Sequence, residues 1–284
     1  MLIRMKKLFI YFAVLIVGAF FLYYQNNSIG VTNIDLELEK LPQGFDGLKI
    51  VHLSDLHSKM FGKNQHKLVS KVRKVEPEII FITGDIVDSK HYEEQPALKL
   101  IDEIIGIAPI YYVTGNHEFW SGRFSSLEKK LQERGVRILR DTKVNLERNG
   151  NKVEIIGVDD PVEKTNQQYD DEEKFLVGEL QKALEGSEQQ NFKILLAHRP
   201  ELLSIYAKYN IDLIFSGHAH GGQVRLPFIG GVIAPNQGLM PKYTSGKYNE
   251  GNSIMIVSRG LGNSIIPQRL FNRPEIVVVK LAKR

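Results

Sequence analysis

The chain has 284 residues, 43% of them hydrophobic and 25% charged, enough for one large domain with a substantial core, and this composition excludes extensive disorder. Cysteine is absent, which excludes disulfides, thiolate metal sites and a cysteine nucleophile. The net charge of +4 arises from 37 basic and 33 acidic residues, and Arg4, Lys6 and Lys7 all precede the first acidic residue, Asp35; the rest of the chain is nearly balanced, which argues against nucleic acid as a partner.

Residues 8–24 form a continuous apolar run behind those three basic residues. A membrane helix needs about 20 apolar residues, with a lower limit of about 17, and the flanking charge places the N-terminus inside. We read the run as an uncleaved single-pass helix in the cell membrane, with the following chain extracytoplasmic. The competing reading is a secretory signal, but a cut at Val17-Gly-Ala19 would fall inside the apolar run. Residues 25–30 are polar and read as a tether, dividing the chain into an anchor at 1–28 and a domain at 29–284. Residues 31–41 alternate apolar and acidic side chains, the pattern of a half-exposed edge strand.

Five short apolar runs then end at metal-seeking side chains: 49–54 before Asp55-Leu-His57, 79–83 before Gly84-Asp85, 110–114 before Gly115-Asn116-His117, 192–197 before His198, and 213–216 before Gly217-His218-Ala219-His220. Runs of this length and composition predict interior parallel strands, and ligands gather beyond the carboxyl ends of such strands. Helices are expected over 64–75, 96–105 and 125–134 between the runs, giving the alternation of a layered domain. Residues 136–158 predict strands joined by a turn at Arg148-Asn149-Gly150-Asn151. Residues 170–184 predict a helix; 221–252 are rich in Gly, Pro and Asn; 253–258 and 275–281 predict two closing strands. Two β-rich stretches around this core suggest a two-sheet sandwich.

Five of the eight histidines lie in the post-strand motifs, with two aspartates and an asparagine. Residues two apart in extended backbone point the same way, so Asp55 and His57 are expected to grip one ion, and His218 and His220 repeat the spacing. Gly84, Gly115 and Gly217 each precede a proposed ligand, where positive φ or close backbone approach is useful. His52, His66 and His91 are assigned to packing or solvent.

Asp55-Leu-His57, Gly84-Asp85-Ile-Val-Asp88, Gly115-Asn116-His117-Glu118, His198 and Gly217-His218-Ala219-His220 together resemble the calcineurin-like metallophosphoesterases, all blocks in order. With the apolar N-terminal segment and Gly221-Gly222-Gln223, the chain is similar to the membrane-associated bacterial phosphodiesterase branch. The resemblance implies an α/β fold, a four-layer α/β/β/α sandwich of two mixed sheets, and two divalent ions. One ion would take Asp55, His57, Asp85 and His220; the other would take Asp85, Asn116, His198 and His218. Oxygen and imidazole donors suit Mn²⁺, Fe²⁺ or Zn²⁺. The expected chemistry is hydrolysis of a phosphodiester or pyrophosphate by a metal-bridging hydroxide, on an envelope or lipid-linked substrate. A broad phosphomonoesterase or nucleotidase and a non-catalytic metal-binding scaffold are the alternatives. His117 is the candidate to protonate the leaving group, and Asp88 to hold the His117 ring protonated. Ser89 stands where the superfamily's Ser/Thr protein phosphatases carry arginine, which argues against that activity. Arg199, Arg259, Arg269 and Arg273 are candidates for substrate phosphate or for structural ion pairs, and Arg259 ranks first because it follows a strand. Residues 221–237, with Phe228, Ile229, Val232 and Ile233, read as an apolar rim near the metals or as an ordinary packed loop.

Overall fold

The structure, a computed structural model, describes residues 2–163, 169–263 and 266–284. Helix α1 spans Leu2–Asn27, apolar and exposed through most of its length. Its 26 residues reach about 39 Å at 1.5 Å per residue, more than a bilayer's hydrocarbon core. Residues 25–27, expected as tether, continue the helix and are fastened to the domain. Asn26 donates to the Pro267 carbonyl at 2.9 Å and accepts the Arg269 N–H at 2.8 Å, while Lys59 donates to the Asn26 carbonyl.

The remaining helices are α2 (His66–Val75), α3 (Gln95–Ile104), α4 (Asn116–Trp120), α5 (Phe124–Glu133), α6 (Tyr169–Ala183) and α7 (Leu203–Tyr206). The strands of the first sheet are β1 (Gly30–Leu38), β2 (Lys49–Leu53), β3 (Ile79–Thr83), β4 (Ile110–Val113), β5 (Arg137–Ile138) and, last in the chain, β16 (Glu275–Lys283). The second sheet contains β6 (Thr142–Arg148), β7 (Asn151–Gly157), β8 (Lys193–Leu196), β9 (Leu213–Ser216), β14 (Gly246–Glu250) and β15 (Ser253–Val257). Between β9 and β14 lie two small hairpins, β10 (Arg225–Leu226) with β11 (Gly230–Gly231), and β12 (Ile233–Ala234) with β13 (Gly238–Leu239).

The sheet orders are β1-β16-β2-β3-β4-β5 and β14-β15-β9-β8-β7-β6. Both are mixed, with parallel pairs β2–β3, β3–β4, β7–β8, β8–β9 and β9–β15 at their centres. Their facing surfaces form one core of Ile50, Phe81, Tyr111, Ile155, Ile194 and Phe215. Helices α2, α3 and α5 cover the outer face of the first sheet, and α6 and α7 that of the second. This is the expected four-layer sandwich. Each central strand is buried along both faces, which explains the unbroken apolar runs.

The β6–β7 turn forms as expected: Asn149 and Gly150 both have positive φ, 50° and 72°, matching a type I′ hairpin. Two elements differ from expectation. Residues 137–138 pair with β4 in the first sheet, so the chain changes sheets before β6. Residues 246–250 form β14, an antiparallel edge strand whose Gly-Lys-Tyr-Asn-Glu sequence has no apolar alternation; only the partner β15 defines it.

Candidate metal centre

The five expected strand-to-ligand junctions end at one side of both sheets. In the first sheet, Leu53 is level with Ile82, so the loops after β2 and β3 emerge together. In the second, Leu196 is level with Phe215. The sheets are stitched there: His198 Nδ1–H donates to the Thr83 carbonyl at 2.7 Å, and the His218 N–H donates to the Asp55 carboxylate at 3.1 Å.

The donors gather in two groups. Asp55, His57, Asp85 and His220 each offer an atom within 4.8 Å of the others, as do Asp85, His198 and His218. His57 Nε2 lies 3.0 Å from His220 Nε2, and His198 Nε2 lies 3.2 Å from His218 Nδ1. Asp85 Oδ2 is 3.6 Å from His57 Nε2 and 3.2 Å from His198 Nε2, so it belongs to both groups. Asn116 lies at the start of α4, and its Oδ1 is buried without a hydrogen-bond partner. The expected ligand residues Asp55, His57, Asp85, His198, His218 and His220 are thus brought together, with Asp85 in both groups.

The backbone reason differs from the expected one. Asp55, His57, Asp85, His218 and His220 all have positive φ, between 47° and 64°. The ligands sit in left-handed turns beyond the strands, not in extended backbone, and such strain at non-glycine residues is typical of sites that position side chains. It also separates His218 and His220 between the two groups. Of the three preceding glycines, Gly84 alone has positive φ (84°). At Gly115 a Cβ would lie 2.3 Å from Asp85 Oδ1, and at Gly217 it would lie 1.9 Å from Ser54 Oγ.

The donors fit divalent cations. Thr83's carbonyl can only accept, so His198 Nδ1 carries a proton and Nε2, beside Asp85, would be the ligating nitrogen; without a cation, burial disfavours the charged ring but Asp85 outweighs it and raises the His198 pKa to about 10. Burial first, then neighbouring imidazoles, push His218 and His220 far below the usual histidine range, which keeps them neutral and able to ligate. Burial opposes ionisation of Asp85, but His198 and His117 overcome it and hold the carboxylate well below its usual range.

His117 stands beside the first group, its ring edge-on to His57 at 4.5 Å between centroids. Its Nδ1 accepts the Ser89 N–H at 3.0 Å. Asp88 Oδ2 lies 3.5 Å from His57 Nδ1 and 3.7 Å from His117 Nδ1. Asp88 was expected to keep His117 protonated; burial instead lowers the pKa of His117 despite Asp85 and Asp88. The four candidate arginines are each engaged by the protein. Arg199 is buried against Asp160 and Glu172, Arg269 is fully buried against the Gly262 carbonyl, and Arg273 reaches Tyr24 and Ser28. Arg259 pairs with Glu275 at 2.7 Å but stays partly exposed beside the turn at Gly221.

Glu118 has a role that sequence reasoning missed. Its buried carboxylate accepts the N–H groups of Asp85, Ile86 and Gly115 at 2.6–2.9 Å, holding the bridging loop against α4. The available signal was an acid three residues past Gly115, the spacing of a capping box. Asn272 was also missed; it donates to the carbonyls of His220 and Gln223 and fixes the last ligand turn.

Residues 48–222, more than half of the chain, match the family model described as calcineurin-like phosphoesterase. The chain belongs to that family, and is a metal-dependent phosphoester hydrolase by membership. It is 32% identical over 267 residues to the uncharacterized metallophosphoesterase YkuE of Bacillus subtilis (strain 168), covering 91% of this chain and 87% of that one. It is 31% identical over 277 residues to an uncharacterized metallophosphoesterase of Aquifex aeolicus (strain VF5), covering 95% and 98%. A Bos taurus transmembrane protein with metallophosphoesterase domain is 32% identical over 257 residues, 87% of this chain and 55% of the bovine one. The chain thus spans about half the length of that relative.

Proposed function

We propose that the chain is a membrane-anchored, two-metal phosphoesterase that hydrolyses phosphodiester or pyrophosphate bonds outside the cytoplasm, on an envelope or lipid-linked substrate. The observation that carries this reading is Asp85, shared by two donor groups built from both sheets. Asp55, His57, Asp85 and His220 would hold one cation, and Asp85, Asn116, His198 and His218 the other. Manganese, zinc or iron there would supply Lewis acidity and a water of lowered pKa.

The remaining work falls to the chain. Because Nδ1 of His117 accepts the Ser89 N–H, the proton of the neutral ring is on Nε2, ready for a leaving oxygen. Asp88 Oδ2 faces His57 Nδ1 at 3.5 Å and would orient that ring, whereas the Ser89 N–H orients His117. Arg259 is our candidate for a substrate anion, its charge shared with Glu275. The apolar α1, together with relatives named transmembrane proteins, supports the anchor.

The test is full-length protein in detergent, loaded with Mn²⁺ or Zn²⁺ and assayed on bis(p-nitrophenyl) phosphate, p-nitrophenyl phosphate and a lipid diphosphate. Diester or diphosphate cleavage exceeding monoester cleavage, abolished in His218→Ala, is expected. Preferred monoester cleavage would replace the proposal with the phosphomonoesterase reading.

A further inference from the structure

The domain carries an exposed apolar surface that the site does not use. The two hairpins after the last ligand turn expose Phe228 and Ile229 at the tip of the first and Leu239 and Met240 at the base of the second, and Phe228 is fully exposed. Large apolar side chains exposed at 228, 229, 239 and 240 are more than the scattered exposure of a soluble surface, and such surface marks binding faces. The hairpins spring from the segment to which α1 is fastened. Val224 bridges to Leu270, the Arg225 N–H donates to the Leu270 carbonyl at 3.0 Å, and the next residue, Phe271, meets Phe21 of α1 at 5.7 Å between rings.

A second observation lies on α2. The last turns of α1 and one face along the length of α2 border a cleft of about 490 Å³, lined by Phe20, Tyr23 and Tyr24 from one and by Lys67, Lys71 and Lys74 from the other. Aromatic side chains at a helix end and nearby lysines are the residues that settle at a membrane–water interface and meet anionic headgroups.

We propose that the face around the end of α1 rests on the bilayer, with Phe228, Ile229, Leu239 and Met240 dipped into the interface and the α2 lysines on lipid phosphates. The occupant is a lipid surface because the apolar patch is continuous with the segment holding an apolar helix long enough to span one. The proposal rests on the anchored reading of α1. Its consequence is that the turn His220–Gly222 leads directly into the inserted hairpin, so the donor groups lie close to the lipid interface.

The absence of cysteine permits a clean test on the full chain in vesicles. Phe228→Cys and Leu239→Cys, each labelled with the polarity-sensitive dye NBD, are compared with Asn149→Cys on the β6–β7 turn. Blue-shifted emission at 228 and 239, quenched by doxyl-labelled acyl chains but not by aqueous iodide, is the expected result. Iodide quenching equal to that at 149 would overturn the proposal. So would shielding without doxyl quenching, the mark of a second protein surface. Alkaline extraction of the vesicles separates the premises: a chain washed off the membrane fails the anchor, whereas a retained chain with a water-exposed label fails the proposal alone. As a second arm, Leu239→Asp with Met240→Asp should leave soluble diester turnover within about twofold, while lowering turnover of a vesicle-borne diester about tenfold; equal turnover on both would also sink it.

Discussion

His57 and His220, 163 positions apart in the chain, bring their Nε2 atoms to 3.0 Å. A proton on one nitrogen makes this contact a hydrogen bond, and a divalent cation beside the carboxylates of Asp55 and Asp85 would replace that proton and draw on both imidazoles. Dialysis against a chelator is therefore expected to lower the melting temperature, and Mn²⁺ or Zn²⁺ to restore it, since ligands that bind the native state stabilise it. Identical melting curves with and without divalent ions would remove the dimetal reading.

Gly217 tests the packing beneath the ligands. An added Cβ would lie 1.9 Å from Ser54 Oγ and 2.4 Å from Asp55 Oδ2. Gly217→Ala should displace Asp55 and lower the metal content read by elemental analysis. Gly106→Ala, which opens onto empty space, is the control and should retain the parent's metal content.

His117→Asn should lower turnover by about 10²–10⁴-fold with an alkyl leaving group, the range of general acid–base help. The loss should be smaller with an aryl leaving group, which departs without a proton. Metal content should stay unchanged. Undiminished turnover of an alkyl ester would take His117 out of the mechanism.

Glu118→Ala would leave the N–H groups of Asp85, Ile86 and Gly115 buried and unpaired. Each such group costs about 1–3 kcal/mol, so a total loss of about 3 kcal/mol or more is expected in denaturant titration. A variant as stable as the parent would show that the loop is held some other way.

Asp141 offers a pH-dependent prediction away from the metals. Burial, reinforced by Glu179 and Asp159, raises its pKa from 3.8 to about 7, although the Asp159 N–H bond opposes this. The folded state keeps this proton where the unfolded chain has released it, so the contribution to stability is full below pH 3.8 and is lost as pH rises through about 7. Asp141→Asn cannot ionise and keeps an acceptor for the Asp159 N–H. It should melt higher than the parent above pH 7, with the gap closing toward pH 4. A constant difference across that range would refute the assignment.

Much of the fold was legible because buried parallel strands read as unbroken apolar runs. All five central junctions, the Asn149-Gly150 turn and helices α2, α3 and α5 lie where periodicity and turn chemistry put them. Strand β14 was not legible, because an exposed edge strand is defined by its neighbour's hydrogen bonds and not by its own pattern. The arginines were not legible either: composition names a cation, but only packing reveals that Arg199 meets Asp160, or Arg269 the Gly262 carbonyl.

By itself, then, the sequence determined which donor types exist and that each follows a strand, because strand burial and ligand chemistry are local properties of residue type. How those donors divide was implied only by family resemblance, and the tertiary structure shows the physical reason. Left-handed turns at Asp55, His57, Asp85, His218 and His220 aim the side chains, and those turns are held by contacts such as Gly217 on Ser54 and Glu118 on the Asp85 loop. Contacts between residues far apart in the chain leave no periodic trace along it, so residue pattern alone offers no physical reason for Asp85 to join two donor groups; that reason appears when the sheets meet.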